Sequence, residues 1–278
     1  MLGKLAFAAG MGPGSVVFFR ALTAAAILLA PLAVFDRQAL RLPLRSVPLF
    51  LGLGMGLALS SSAFFQGVKH LDVGVAISLF YLYPALVSVI ARVALREPLT
   101  RAKVAALAVS LVGCGLVSGL FDGALAVSGI GIGLSLVAAG ACAVYTVLVK
   151  VAVRDHPPIR TTVYSLVSAL PFLALAGLVG GEALRPPASV AAWGLIGLLA
   201  LVPTLAGYTL LAFALRFIES SRASIVATLE PVLATFLALA VLGERLQPLQ
   251  GAGIVLIVVG AILAQSERAV RSGVSVPP

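Results

Sequence analysis

Glu230 and Tyr83 stand at matching places in this chain. Each precedes a proline, Pro231 or Pro84, near the middle of an apolar stretch long enough to cross a bilayer. A charge near the centre of such a helix costs about 2.5–3.5 kcal/mol on insertion scales, which makes Glu230 the first residue to interrogate. Pro231 has no N–H, so the carbonyl of Ala227 loses its helical partner and a polar pocket forms beside the carboxyl. Desolvation there favours the neutral acid and so suits substrate or proton binding; the plainer alternative is a protonated or paired Glu that holds helices together. Tyr83 offers a ring for stacking and one hydroxyl, which suits an organic solute, although ordinary core packing explains it equally well. Helical spacing puts Ala76, Phe80, Tyr83 and Val87 on one face and Ala223, Ala227, Glu230 and Ala234 on its counterpart.

Arg20 is the other charge at membrane depth. It is expected to pair with Glu230 or bind an anionic substrate group, unless it merely snorkels to the nearer interface. Ser61, Phe65, Tyr145, Thr204 and Tyr208 are weaker binding candidates; Thr204 and Tyr208 lie four apart after the helix-breaking Pro203. Glu97 and Glu244 end the two proline-bearing helices. Their recurrence argues for a shared structural job, either pairing with a basic neighbour such as Arg101 or satisfying nearby backbone donors.

These residues need elements to hold them, and the elements come as a repeat. Residues 64–116 resemble 211–263 at an offset of 147, which puts Ala76 on Ala223, Pro84 on Pro231, Glu97 on Glu244 and Gly113 on Gly260. With 61% hydrophobic and 10% charged residues and a mean hydropathy of +1.14, the chain is far from a soluble composition. Backbone groups in lipid must be satisfied internally, and no short alternating β-segments occur, so the fold class expected is an all-α polytopic bundle. Spans are predicted near 13–35, 46–68, 73–95, 103–121, 128–150, 159–181, 190–213, 220–243 and 249–266. Residues 1–9 resemble only the end of a further helix, so the true start is expected about 20 residues upstream, a helix's length; a genuine nine-helix protein is the alternative.

An offset of 146 places Lys150 over Lys4, which gives the second half five helices and the first half four plus the stub. Five is odd, so the halves are expected to have opposite topology, with substrate sites near the midplane where they meet. The division predicted is a first repeat at 1–121, a second at 122–268 and a tail at 269–278.

The formal charge of +9 is distributed as a membrane protein's would be. Of the 19 Lys and Arg, 14 fall on one set of alternate loops, among them Arg45, Arg101, Arg160 and Arg222; Lys4, Lys69, Arg185 and Arg245 fall on the other. By the positive-inside rule the basic loops and the C-terminus are cytoplasmic, and the protein is expected in the cytoplasmic membrane. Nucleic acid is excluded as a partner because the basic residues are not interleaved with aromatics on a soluble surface. The lipid bilayer and a small-molecule substrate are the partners expected. Lipid-solvated faces give no sign of oligomeric state.

Cys114 and Cys142 fall inside predicted spans and read as small apolar residues. His70 and His156 sit far apart in loops, so no metal site and no cofactor are expected. Gly129, Gly131 and Gly133 lack the spacing and the preceding strand of a phosphate loop. Gly52 and Gly56, Gly115 and Gly119, and Gly177 and Gly181 read instead as small-xxx-small pairs for close helix approach.

Two stretches resemble the EamA family of the drug/metabolite transporter superfamily. Residues 223–264 have the mid-helix Pro231, the helix-end pair Gly243–Glu244 and a last helix with Gly251, Gly253 and Gly260. Residues 76–100 keep Pro84 and Glu97 but carry Arg96 where the glycine would sit. The opening GKLAFAAGMGPGSVVFFRALTAAAILL is similar to the family's end of helix one, short turn and Arg-bearing helix two. The resemblance implies ten helices, a central cavity and movement of small metabolites.

The function expected is therefore secondary transport of small organic metabolites or drugs by alternating access, with proton coupling through Glu230. No Walker-type loop is present, so the energy must come from gradients or exchange. A non-transporting membrane partner or assembly subunit is the alternative. An intramembrane enzyme is disfavoured, because neither histidine is at membrane depth and no paired carboxylates appear there.

Overall fold

The computed structural model describes residues 10–35, 42–118, 128–181, 183–242 and 247–271, with backbone alone for 35, 237–242 and 266–271. Gly243, Glu244, the N-terminal stub and all but the start of the tail lie outside the described residues. Every regular element described is helical: α1 (Pro13–Phe35), α2 (Val47–Val68), α3 (Val73–Phe80), α4 (Tyr83–Ala94), α5 (Arg101–Val117), α6 (Gly129–Asp155), α7 (Pro158–Val179), α8 (Val190–Leu199), α9 (Gly207–Phe217), α10 (Ser220–Ala227), α11 (Glu230–Leu242) and α12 (Pro248–Arg271). A 3₁₀ turn at Leu44–Ser46 precedes α2, and a π-helical turn at Ala200–Ala206 joins α8 to α9. Among the described residues, seven helical stretches are long and apolar enough to cross a membrane. The nine-span reading rests in addition on α5 and on the pair α10 and α11.

The starts follow local chemistry. Pro13, Pro158 and Pro248 each open a helix, where the missing N–H is not needed. Thr100 caps α5 by accepting from Lys103 N at 3.3 Å, and Ser189 caps α8 by accepting from Ala192 N at 3.1 Å.

The expected spans at 73–95 and 220–243 are each interrupted. The helix stops at Phe80 and resumes at Tyr83, and stops at Ala227 and resumes at Glu230. Before each proline the backbone tightens to i→i−3 bonds: Leu82 N to Leu79 O at 3.2 Å, and Leu229 N to Val226 O at 3.0 Å. Beyond it, Ser88 donates to Pro84 O at 2.8 Å and Thr235 to Pro231 O at 2.9 Å, and these residues are again 147 apart.

The chain divides into two compact units that cut across the sequence halves. Unit 1 comprises Met1–Gln66 and Gly140–Phe217; unit 2 comprises Gly67–Ala139 and Ile218–Pro278. Within unit 1, α1 packs on α7, α8 and the π turn, and α9 on α7. Ser168 of α7 donates to Phe50 O of α2 at 2.7 Å, and Gly56 brings α2 so close to Tyr145 that an added Cβ would lie 3.3 Å from that residue's own. Gly181, read as a packing glycine, meets nothing within 4 Å; it ends its helix with φ +67.

Within unit 2 the main contact is α5 against α12. A Cβ on Gly113 would lie 2.7 Å from Gly253 O and 2.8 Å from Ile257 Cγ1; one on Gly260 would lie 2.8 Å from Ala106 O and clash with Ser110. Residues 106, 110 and 113 are the repeat mates of 253, 257 and 260, so this is one contact made twice with the helices exchanged. Residue numbers rise along one helix as they fall along the other, so the two run antiparallel.

Candidate functional site

Six of the expected binding residues lie in unit 1: Arg20, Ser61, Phe65, Tyr145, Thr204 and Tyr208. Arg20 sits on α1, and its Nη2 donates to Ser61 Oγ on α2 at 3.3 Å. One turn further along α2, the ring of Phe65 lies under the guanidinium, 6.0 Å from its carbon. The Nε of Arg20 is buried with no hydrogen-bond partner among the described residues. Phe65 also lines a small cleft with Pro13, Gly14, Val17, Ser62, Gln66, Ala176 and Gly177, where α1 begins and α2 and α7 finish.

Tyr145 on α6 and Tyr208 on α9 form a second group, edge to face with ring centres 5.7 Å apart. Tyr145 is buried and Tyr208 half-buried. Thr204 has a different occupation. Pro203 cannot donate to Leu199 O, and the Thr204 hydroxyl does so instead, at 2.8 Å. The helix widens into a π turn at that point. The proton of Thr204 is thus engaged in mending its own helix.

Tyr83 and Glu230 lie in unit 2. Tyr83 is buried at the start of α4, stacked with Phe80 and Tyr81 at ring separations of 5.4 and 6.3 Å. Glu230 is exposed and opens α11, so the positive end of that helix is directed at its carboxyl.

Unit 2 also holds an ionic cluster of which sequence reading singled out only Glu97 as a candidate, with Arg222 seen merely as a basic loop residue. Glu97 is buried and accepts from Ser220 N at 2.8 Å, Ser221 N at 3.1 Å and Ser221 Oγ at 2.9 Å, which satisfies the free donors at the start of α10. Two backbone N–H groups and the Ser221 hydroxyl, not Arg101, are therefore its partners. Lys103 is 1% exposed, donates to Pro98 O at 2.7 Å and pairs with Glu219 at 2.6 Å; Glu219 also accepts from Arg222 Nε at 2.9 Å. Partial burial opposes ionisation of Glu219, but the Lys103 ammonium and the Arg222 guanidinium outweigh it and hold the carboxyl below its usual range. The serine pair at 220–221 was legible as a helix start; its partner 123 positions away was not. Arg96, which stands where the related motif has glycine, adopts φ +59, the left-handed backbone that glycine takes most easily. Among the described residues no three His, Cys, Asp or Glu side chains gather to hold a metal.

This is a polytopic helical membrane protein. A solved crystal structure matches its fold with a TM-score of 0.81 at 20% identity, over 98% of this chain and 93% of that one. The chain belongs to the EamA-like transporter family, which matches residues 1–119 and 129–265. It is similar to the uncharacterized transporter YyaM of Bacillus subtilis, at 26% identity over 73% of this chain and 68% of that protein. It is also similar to the threonine/homoserine exporter RhtA of Escherichia coli K12, at 29% identity over 81% and 70%. An uncharacterized transporter of Archaeoglobus fulgidus is 28% identical over 78% and 76%.

Proposed function

We propose that this chain is a secondary transporter that moves small organic solutes, amino acids among them, across the cytoplasmic membrane by alternating access. The family and the name of the Escherichia coli relative support the class of activity. The observation that carries the reading is that unit 1 holds two groups suited to a solute, the Arg20 cation with Ser61 and Phe65, and the ring pair of Tyr145 and Tyr208. Rings take up the apolar body of a solute, and the charge and hydroxyls take up its polar end.

Glu230 is the proton carrier in this proposal. It borders the interruption between α10 and α11, where few backbone bonds resist a change of angle, so protonation and helix movement act at one point. The antiparallel exchange of contacts between α5 and α12 supports repeats of inverted topology, five helices each, at 1–121 and 122–268, with the tail cytoplasmic.

The test is uptake into proteoliposomes under an imposed pH gradient, with labelled L-threonine as the first solute. Wild type should accumulate it, and Glu230→Gln should lose gradient-driven uptake while unfolding at the same temperature. Undiminished gradient-driven uptake by the variant would remove Glu230 from the role.

A further inference from the structure

We infer that Arg20 is an anion-binding group, and that the solute this protein takes carries a carboxylate which docks on it. The inference rests on the transport reading above and adds the chemical class of the substrate.

A guanidinium has five N–H donors and no acceptor, and at membrane depth each unmet donor is costly. Arg20 makes one hydrogen bond to a side chain, the 3.3 Å contact with Ser61, and its buried Nε has no partner among the described residues. In unit 1 the one acidic residue described is Asp155, which ends α6; it makes no ion pair with Arg20. The cation is held in place from below by the Phe65 ring and from the side by Ser61, with donor capacity to spare. That is a pre-oriented site for a planar anion, which guanidinium binds through two parallel bonds. Phe65 and Val17, one turn before Arg20 on α1, both line a small cleft whose other walls include the polar Ser62 and Gln66, and a solute entering there reaches the guanidinium once the Phe65 ring moves. A cation meant only to reach the interface would extend its donors into water. Here Nη2 is turned toward Ser61 of α2, Nε is buried and the guanidinium lies over a ring.

The single tryptophan of the chain, Trp193, reports on this place because its ring packs edge-on against Phe19, beside Arg20, at 5.9 Å. Full-length protein in nanodiscs is titrated with acetate, benzoate and L-threonine, and with the matching amides, while Trp193 emission is followed. The expected result is a saturable response to at least one carboxylate, at least roughly tenfold weaker for its amide, and weakened by a similar factor in Arg20→Gln, with Arg20→Lys between. Equal responses to acid and amide, no saturable response to any acid, or unaltered affinity in a folded Arg20→Gln protein would each overturn the assignment. If Arg20→Gln fails to fold, Arg20→Lys and Ser61→Ala decide it: both must weaken carboxylate and not amide. Uptake measured on the same preparations separates the two readings. Binding without transport keeps the site and refutes the transporter, whereas full transport of acids by Arg20→Gln does the reverse.

Discussion

The two units satisfy their charges differently. In unit 2 the buried ions are engaged: Glu97 accepts three hydrogen bonds, Lys103 holds a carbonyl and a carboxylate, and Arg222 shares that carboxylate. In unit 1 the buried Nε of Arg20 has no partner among the described residues. The repeat-related helices α5 and α12 pack backbone to backbone in unit 2, and the same unit carries both proline interruptions. Unit 2 thus combines a tight seam with two interrupted helices, while the proposed solute-binding groups lie in unit 1.

Substitutions at the seam should break this contrast most severely. Gly260→Leu puts a side chain against Ala106 O and Ser110 and should cost roughly 3–5 kcal/mol, read as lost thermal stability in detergent. Gly194→Leu in unit 1, where nothing lies within 4 Å, should be near neutral. Equal effects would show that close packing does not distinguish α5 and α12.

A smaller effect is expected from the ionic cluster. The folded-state pKa of Glu219 is lowered, so its contribution is fully present above the ordinary value of 4.5 and is lost as pH falls through the lower folded value. The unfolding temperature should therefore drop in that acidic window by a few degrees more in wild type than in Glu219→Gln. The variant should also be less stable at neutral pH, because Lys103 is left buried without its carboxylate. Parallel pH profiles would sharpen the comparison against unit 2, by showing that its ions add nothing to stability.

Much of this architecture was legible in the chain itself. Apolar length marked the long helices, and Pro84 and Pro231 marked where two of them falter. The breaks fall before the prolines because Pro84 and Pro231 have no N–H to donate to the carbonyls of Phe80 and Ala227, where the preceding helices end. The π turn at Pro203 and the service of Thr204 to Leu199 were not legible, since helical spacing alone sends that hydroxyl toward the axis. Nor was the Lys103–Glu219 pair, a contact between the starts of two helices far apart in the chain. Residues that act alone could be singled out by type and depth; those that act by pairing needed the fold.

The most direct test of unit 1 as the solute-binding region is protection from chemical labelling. In a Cys114→Ala, Cys142→Ala background, Ser61→Cys places a thiol beside Arg20 and Phe65. Saturating transported solute should slow its reaction with a methanethiosulfonate reagent, and a non-transported analogue should not. An unchanged reaction rate while transport proceeds would contradict the account.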